Sequence, residues 1–306
     1  MKVLFIGGAL RSGTTLLERL VAAAGDAASV GEVSRIWDHG LMENHLCGCG
    51  KPFTECGFWR EVTAAAGGNG WPDPEDALRL RLAVDRMKQL PRFLFPGLAS
   101  ARFERRVAAY TDVLGRLFGS IATVSERAVI VDSSKAPTHA HLLMRSPGVE
   151  LYVVHMTRDS RGVAFSWRRK RRLPEIWWKE AYWPRFGPTR VAIRWVIVNL
   201  AFEHMASAGW RVLRVRYEDL VARPRACLER IFEFAGEKPA SLDFLDTGRS
   251  AQLTPSHTVS GNPMRFDTGP VRLVADTEWR LQMRPAHRVA VTAMTYPLLR
   301  RYGYVS

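Results

Sequence analysis

The segment that most restricts the fold of this chain is a glycine-rich turn, Gly8-Ala-Leu-Arg11-Ser12-Gly13-Thr14-Thr15. An apolar run, Val3 to Ile6, precedes it, and Thr14 to Ala24 follows with leucines at helical spacing. A turn of this kind presents successive backbone N–H groups and a helix N-terminus to one point, where they can hold a phosphate. We therefore predict a strand, a phosphate-binding loop and a helix at the start of the chain.

The two glycines of this loop have the spacing of a Walker loop, G-x-x-x-x-G-K-[ST], but Thr14 stands where that loop has its lysine. In triphosphate chemistry that lysine reaches the β- and γ-phosphates. Arg11 supplies positive charge from a different point of the loop. The loop is therefore typical of a phosphate site that does not serve ATP hydrolysis, and the alternative is a turn without a ligand.

Further short β-branched runs along the chain end in polar residues and lead into helical stretches. They are Val129–Val131, Leu151–Val154 and Arg211–Val215. This alternation predicts an α/β fold, a P-loop-like doubly wound parallel sheet with helices on both faces. We expect one domain over residues 1–306, with helical cap insertions at about 38–125 and 168–195. Ligands of such sheets bind beyond the carboxyl ends of the strands.

Composition limits the partners and the compartment. The 306 residues include 44 Lys and Arg against 30 Asp and Glu, so the net charge of +14 indicates an anionic partner without identifying it. An apolar content of 47% excludes wholesale disorder, and no run approaches the roughly 18 apolar residues of a membrane span. Four cysteines in a chain of this length do not make a disulfide scaffold, so we expect a cytoplasmic protein.

A second phosphate signal is the stretch from Arg158 to Ser166, which starts at a predicted strand end and enters a helix. Ser166 lies about two helical turns beyond Arg158, and its side chain can point back toward the N-terminus of the helix, where Arg158 lies. A guanidinium and a hydroxyl both donate hydrogen bonds to phosphate oxygens. Without further evidence, an arginine that caps a strand and an ordinary helix serine explain the pair equally well.

With a strand ending in Arg216-Tyr217-Glu-Asp-Leu220, these motifs resemble the sulfotransferase family from residue 3 to about residue 266. The resemblance is strongest to the bacterial branch that is similar to protein-tyrosine sulfotransferases. It implies the cofactor 3′-phosphoadenosine 5′-phosphosulfate (PAPS), the product 3′,5′-adenosine bisphosphate (PAP), and no metal. The implied contacts are Arg11, Ser12, Gly13, Thr14 and Thr15 for the 5′-phosphosulfate, Arg158 and Ser166 for the 3′-phosphate, and Tyr217 near the adenine.

The resemblance also implies three catalytic residues. Glu32, in Gly31-Glu32-Val33-Ser34-Arg35, matches the carboxylate that serves as general base in tyrosine-sulfating relatives; the alternative is a solvated loop carboxylate. Lys135 matches a lysine near the transferred group and, with Arg11, would stabilise its charge. We expect Asp132 to orient Lys135 or Arg11, although an apolar run ending in Asp also resembles a Walker B strand and leaves a Mg²⁺–nucleotide site open.

A polar loop from His257 to Arg265 follows the core. It resembles the loop that closes over the cofactor in bacterial members of the family. Arg265 is our candidate for a further contact to the 3′-phosphate. His257 is either a second proton-transfer group or a hydrogen-bonded loop histidine, and the second interpretation is favoured because no spacing partner accompanies it.

A cysteine-rich stretch holds His45, Cys47, Cys49 and Cys56, enough ligands for one zinc ion. The C-x-C and C-x₆-C spacings differ from the common zinc-knuckle and zinc-ribbon patterns. The spacing therefore favours a structural loop with buried or occasionally paired thiols, with zinc as the alternative.

A basic run, 168–172, is followed by four aromatic residues: Trp177, Trp178, Tyr182 and Trp183. In a nucleic-acid binder this pattern would serve backbone and stacking contacts. The resemblance to sulfotransferases implies that this run lies where the acceptor enters. Three interpretations stay open, namely an entrance for an acidic acceptor, a membrane-facing patch, and a solvated helix face.

Together these observations predict a PAPS-dependent sulfotransferase that moves a sulfuryl group in line to a hydroxyl of a glycan, lipid, natural product or peptide tyrosine. We expect no nucleic-acid partner. The alternatives are a P-loop nucleotide kinase or NTPase, and a non-catalytic basic nucleotide-fold binding protein. The sequence determines neither the acceptor nor the oligomeric state.

Overall fold

A computed structural model describes residues 1–68, 71–246 and 249–305, and within them the core is a five-stranded parallel sheet. Its strands are β1 (Lys2–Gly8), β2 (Ala27–Gly31), β3 (Val129–Lys135), β4 (Glu150–Thr157) and β5 (Val212–Arg216). They lie in the order β2-β3-β1-β4-β5. Because every pairing is parallel, the carboxyl ends of all five strands meet at one edge of the sheet.

Helices cover both faces of the sheet. Their bounds are α1 (Thr14–Ala24), α2 (Gly57–Ala66), α3 (Pro74–Val84), α4 (Leu90–Leu94), α5 (Ala101–Ser125), α6 (Pro137–Met144), α7 (Ser160–Ser166), α8 (Pro188–Ser207), α9 (Tyr217–Ala222), α10 (Pro224–Phe234), α11 (Trp279–Gln282) and α12 (Pro285–Arg301). The predicted α/β class is therefore confirmed. None of these helices is long and apolar enough to cross a lipid bilayer.

The side chains of β1 show how the two faces are built, because they alternate along the strand. Val3 and Phe5 join a buried cluster with α2, α3, α5, α6 and α8. Leu4 and Ile6 point the other way and pack with α1, α9 and α10. Each face of the central strand is thus buried against helices, as expected for a parallel sheet.

The two insertions differ in structure. The first contains a π-helical turn (Ile36–Met42) and then α2 to α5. The second, predicted as a cap over 168–195, is an irregular segment with an isolated antiparallel bridge between Arg172 and Tyr182, and α8 begins only at Pro188. Beyond α10, an antiparallel pair of strands, β6 (Ser250–Leu253) and β7 (Gly269–Arg272), flanks the segment that passes over the carboxyl edge.

Candidate functional site

A cavity of about 250 Å³ lies at the carboxyl edge of the sheet, lined by the glycine-rich loop, residues at the ends of β2, β3, β4 and β5, and the segment after β6. It brings together residues that the sequence predicted from separate motifs: Arg11, Glu32, Lys135, Arg158, Ser166 and Tyr217. Gly13, Thr14 and Thr15 line it as well. Ser12 is fully buried beneath the loop, where its hydroxyl donates to the Ala9 carbonyl at 2.6 Å.

The backbone of the glycine-rich loop takes the left-handed conformation at Arg11 (φ 74°) and at Gly13 (φ 92°). A Cβ atom at Gly13 would lie 2.6 Å from Cδ2 of Tyr217, so only glycine fits this position. Alternating backbone conformations of this kind direct N–H groups into a shared concavity. The loop therefore has the shape of an anion site at the start of α1.

Arg11 is held in place by aromatic rings. Its guanidinium lies 4.8 Å from the ring of Trp183 and 5.4 Å from that of Trp167. Burial, and next the neighbouring Arg171, lower the pKa of Arg11 to about 10, so the side chain is still a cation at neutral pH. This cation lines the cavity, and among the described residues no carboxylate lies within hydrogen-bond distance of it.

Glu32 and Lys135 form an ion pair inside the cavity. Glu32 follows β2 and Lys135 ends β3, and these two strands are neighbours in the sheet. Only 14% of the Glu32 side chain and 9% of the Lys135 side chain is exposed. Lys135 Nζ also donates to the Ser133 carbonyl at 3.1 Å, so the ammonium is fixed from two sides.

A buried carboxylate that the sequence did not single out, Glu18 on α1, supports this pair. It accepts hydrogen bonds from Ser29 Oγ (2.8 Å), Gly31 N (2.6 Å) and Ser133 Oγ (2.6 Å). Burial raises the pKa of Glu18 to about 7, although the three donors act in the opposite direction. Glu18 thus ties together the ends of the two strands that carry Glu32 and Lys135.

Asp132 has partners other than those expected. Its Oδ1 accepts from the backbone N (2.8 Å) and hydroxyl (2.6 Å) of Ser134, and its Oδ2 lies 3.2 Å from His139 Nε2. Ser134 Oγ in turn accepts from Ser34 N at 3.0 Å. The prediction that Asp132 orients Lys135 or Arg11 is therefore wrong; it acts through Ser134 on the segment just after Glu32.

Arg158 joins the end of β4 to the glycine-rich loop. Its Nη1 donates to the Arg11 carbonyl at 3.0 Å, its Nη2 lies 3.1 Å from Asp276 Oδ2, and its guanidinium stacks 4.6 Å from the Tyr217 ring centre. Tyr217 is fixed in turn by a hydrogen bond from its hydroxyl to the Val274 carbonyl at 3.2 Å. Three strand ends therefore share one contact network.

Two predicted residues do not reach the cavity. Arg265 is fully buried, and its guanidinium donates to the carbonyls of Thr258 (2.5 Å) and Leu46 (2.7 Å). It braces two loops against each other, and so the expected contact with a 3′-phosphate does not agree with its position. His257 contacts Cys56 Sγ at 3.3 Å and likewise lies outside the cavity lining.

Sequence reasoning missed Arg272 and Asp276, which line the cavity from the segment after β6, and it assigned no role to Asn262 of the predicted polar loop, which lines the cavity as well. Asn262 N donates to Thr15 Oγ1 at 3.2 Å, so this segment lies directly on the first turn of α1. No local motif marks Arg272 or Asp276, because their place depends on how the chain returns to the sheet edge.

The cavity is electropositive. Among the described residues, five cationic side chains line it against two carboxylates. The cations are Arg11, Lys135, Arg158, Arg171 and Arg272, and the carboxylates are Glu32 and Asp276. Low-dielectric walls strengthen such a field, and so the arrangement favours a ligand with more than one negative charge.

The basic run after α7 is divided between several environments. Arg171 lines the cavity, whereas Arg169 pairs with Asp276 (3.6 Å) and with Glu278. Lys170 lies 3.9 Å from the ring centre of Tyr182. The run is therefore neither a uniform solvated face nor a continuous patch, and part of it belongs to the entrance of the cavity.

Comparisons with known proteins identify the family and the fold. The model of a family described as the sulfotransferase family matches residues 4–240. The sulfotransferase domain from the Synechococcus PCC 7002 olefin synthase aligns with 97% of this chain and 94% of its own, at 17% identity and a TM-score of 0.53. The sulfotransferase domain from the curacin biosynthetic pathway aligns with 97% of each chain, at 16% identity and a TM-score of 0.54. These two structures share the fold. No curated protein sequence matches significantly.

Proposed function

The chain belongs to the sulfotransferase family, and on that premise we propose that it transfers the sulfuryl group of PAPS to a hydroxyl acceptor. The observation that carries this proposal is a single cavity that contains the glycine-rich loop, the Arg158–Ser166 pair and the Glu32–Lys135 ion pair. An enzyme of this kind needs an anion site for the donor and a base for the acceptor beside each other.

The cavity suits PAPS because this cofactor carries phosphate groups at two positions of adenosine. We propose that the loop amides from Arg11 to Thr15 hold the 5′ end, and that Arg158 and Ser166 hold the 3′-phosphate. Tyr217, stacked beneath Arg158, would lie beside the adenine. The excess of cationic over anionic side chains in the lining supports a multiply charged ligand. Arg265 makes none of these contacts, because it is fully buried and donates to the carbonyls of Thr258 and Leu46.

When bound, PAPS supplies the sulfuryl group and a phosphate leaving group. Glu32 is the proposed general base, and its carboxylate accepts the proton of the acceptor hydroxyl. Lys135, which contacts Glu32 and lines the same cavity, would offset negative charge that develops on the transferred group, together with Arg11. In this proposal charge is offset by side chains and loop amides.

The acceptor class is a hydroxyl compound, and a glycan, lipid, natural product or peptide tyrosine each fit that description. Arg171 and Trp183 lie next to Arg11 on one side of the cavity and form the proposed acceptor entrance. A cation and an aromatic ring there favour an acceptor with an acidic group or an aromatic ring.

Calorimetry with PAP and with Mg²⁺–ATP tests the proposal, followed by transfer of labelled sulfate from PAPS to a panel of hydroxyl acceptors. We expect PAP to bind about 100-fold more tightly than ATP. Equal affinity accompanied by ATP turnover would favour the kinase or NTPase alternative. If polyanions bound with an affinity that falls steeply as the salt concentration rises, and no sulfate were transferred, a non-catalytic binding protein would be favoured.

A further inference from the structure

A second group of reactive side chains meets outside the cavity, and the activity proposed above does not use it. It consists of Cys47, Cys49, Cys56 and His257, whose ligand atoms all lie within 4.8 Å of one another. Cys49 Sγ and Cys56 Sγ are 3.7 Å apart, and Cys56 Sγ lies 3.3 Å from His257 Nδ1. Three thiols and an imidazole thus surround one small space.

These distances match a tetrahedral zinc site. With Zn–S bonds of about 2.3 Å and a Zn–N bond of about 2.0–2.1 Å, neighbouring ligand atoms lie about 3.5–3.8 Å apart. A disulfide would instead require a sulfur–sulfur distance of about 2.05 Å. Cys49 and Cys56 are much farther apart than that, and all four cysteines of the chain are unpaired. The thiols therefore have the spacing of ligands around one metal ion.

The loop that carries the cysteines is folded so that their thiols converge. Gly50 N donates to the Cys47 carbonyl and Cys47 N donates to the Lys51 carbonyl, both at 2.8 Å, and Gly50 has φ of 85°. This tight turn brings Cys47 and Cys49 together, and a helical turn at Phe53–Glu55 then returns the chain to Cys56. Backbone structure of this kind explains how an uncommon C-x-C and C-x₆-C spacing can form a site.

The histidine of the cluster is not the one that the sequence places nearby. His45 Nε2 pairs with Glu43 Oε2 at 2.8 Å, and its ring stacks 4.5 Å from that of His39. The His257 ring stacks on Phe58 with 5.0 Å between ring centres, which directs Nδ1 toward Cys56. The imidazole of the cluster therefore comes from a loop about two hundred residues later in the chain.

We propose that Cys47, Cys49, Cys56 and His257 bind one structural zinc ion. Three thiolates and an imidazole bind zinc in preference to hard cations such as Mg²⁺ and Ca²⁺. With four protein ligands the site is closed, and no position is left for a substrate. The three thiols lose their protons to solvent as the metal binds.

The ion would connect the cysteine-rich loop to the segment after His257, which reaches the cavity at Gly261 and Asn262. Gly48 N donates to the Thr258 carbonyl at 2.9 Å, and Val259 N donates to the Val30 carbonyl at 3.0 Å, just before Glu32. A few residues further, Asn262 N contacts Thr15 Oγ1. Zinc at His257 would therefore fix the loop that covers the cavity. The zinc site can be tested without any assay of sulfuryl transfer.

The first test is metal content and thermal stability of the untagged, full-length protein purified under reducing conditions. We expect about one zinc per chain, a lower Tm after chelation, and recovery of the Tm when zinc is returned. Cobalt should replace zinc and give the visible spectrum of a tetrahedral thiolate site. A protein that purifies without metal and whose Tm responds to neither chelator nor zinc would overturn the proposal, as would a Cys49–Cys56 disulfide found by mass spectrometry.

Matched variants then identify the ligands. Cys49→Ser should lose the bound zinc, whereas Cys227→Ser, which changes a free cysteine outside the cluster, should keep it. His257→Ala should weaken zinc binding at least about 100-fold, because loss of even an outer-shell partner costs 10–100-fold. His45→Ala should leave zinc affinity unchanged. Equal loss in both histidine variants, or retention of zinc by Cys49→Ser, would show that the cluster is not the site.

Discussion

Arg158 Nη1 donates a hydrogen bond of 3.0 Å to the backbone carbonyl of Arg11. Arg11 has φ of 74°, so the bond fixes a residue of the glycine-rich loop in an uncommon backbone conformation. The same guanidinium stacks on Tyr217 and pairs with Asp276. One side chain therefore shapes the loop and also supplies N–H groups to the cavity, and its loss should affect ligand binding before any later step.

Replacing that side chain gives the first prediction. Arg158→Ala should weaken PAP binding by about 10- to 100-fold, because a hydrogen bond to a charged group contributes about 1.5–3 kcal/mol. Calorimetry with PAP measures the change, and the Tm shows whether the loop has been damaged as well. Arg168→Ala is the matched control, since Arg168 is exposed two residues after Ser166. Unchanged PAP affinity in Arg158→Ala would refute the proposed role.

The second prediction concerns the carboxylate that competes for Arg158. Asp276 Oδ2 lies 3.1 Å from Arg158 Nη2 and repels an incoming anion. Asp276→Asn should therefore bind PAP about three- to tenfold more tightly than the natural protein. Glu278→Gln removes an exposed carboxylate nearby and should change the affinity little. Weaker binding in Asp276→Asn would mean that Asp276 orients Arg158 instead of competing with the ligand.

The third prediction tests the proposed base. Glu32→Gln keeps the size of the side chain but cannot accept the acceptor's proton, so turnover should fall by about 100-fold or more. PAP affinity should stay nearly the same, because Glu32 contacts Lys135 and not the Arg158 end of the cavity. Steady-state rates with PAPS and calorimetry with PAP separate the two effects.

The exposed residue Glu55, in the first insertion, supplies the control for this experiment. Glu55→Gln should match the natural protein in both measurements. If Glu32→Gln lost PAP binding as completely as turnover, the carboxylate would be a binding or folding residue, and another group would have to serve as the base.

Local patterns were enough to predict the elements that carry strong hydrophobic periodicity. The helix predicted from Thr14 to Ala24 has those bounds in the structure, and the runs starting at Val129 and Leu151 lie within β3 and β4. β2 was missed because Ala27–Gly31 is built from small residues and contains a single valine. The residue that follows it, Glu32, was nevertheless found, since its recognition depended on a motif and not on the strand.

The parts that sequence reasoning missed depend on contacts between distant residues. Glu18 meets Ser133 across 115 positions, and Cys56 meets His257 across 201. Neither pairing leaves a periodicity or a spacing in the chain, because only the folded chain brings the partners together. For the same reason His45, the histidine nearest to the cysteines in sequence, was counted with them although it pairs with Glu43.

The last prediction follows from the buried carboxylate of Glu18. Burial raises its pKa from 4.5 to about 7, so the folded protein favours the protonated form. The stability that this preference contributes is fully present below the ordinary pKa of 4.5 and is lost as the pH rises through about 7. Relative to Glu18→Gln, which does not titrate, the natural protein should lose about 3 kcal/mol of unfolding free energy between about pH 4 and about pH 8.

Urea unfolding of both proteins across this range measures the difference, with Glu55→Gln as the control that keeps the natural dependence of stability on pH. Parallel stability curves for Glu18→Gln and the natural protein would show that folding does not raise the pKa of Glu18, because the donors from Ser29, Gly31 and Ser133 offset its burial.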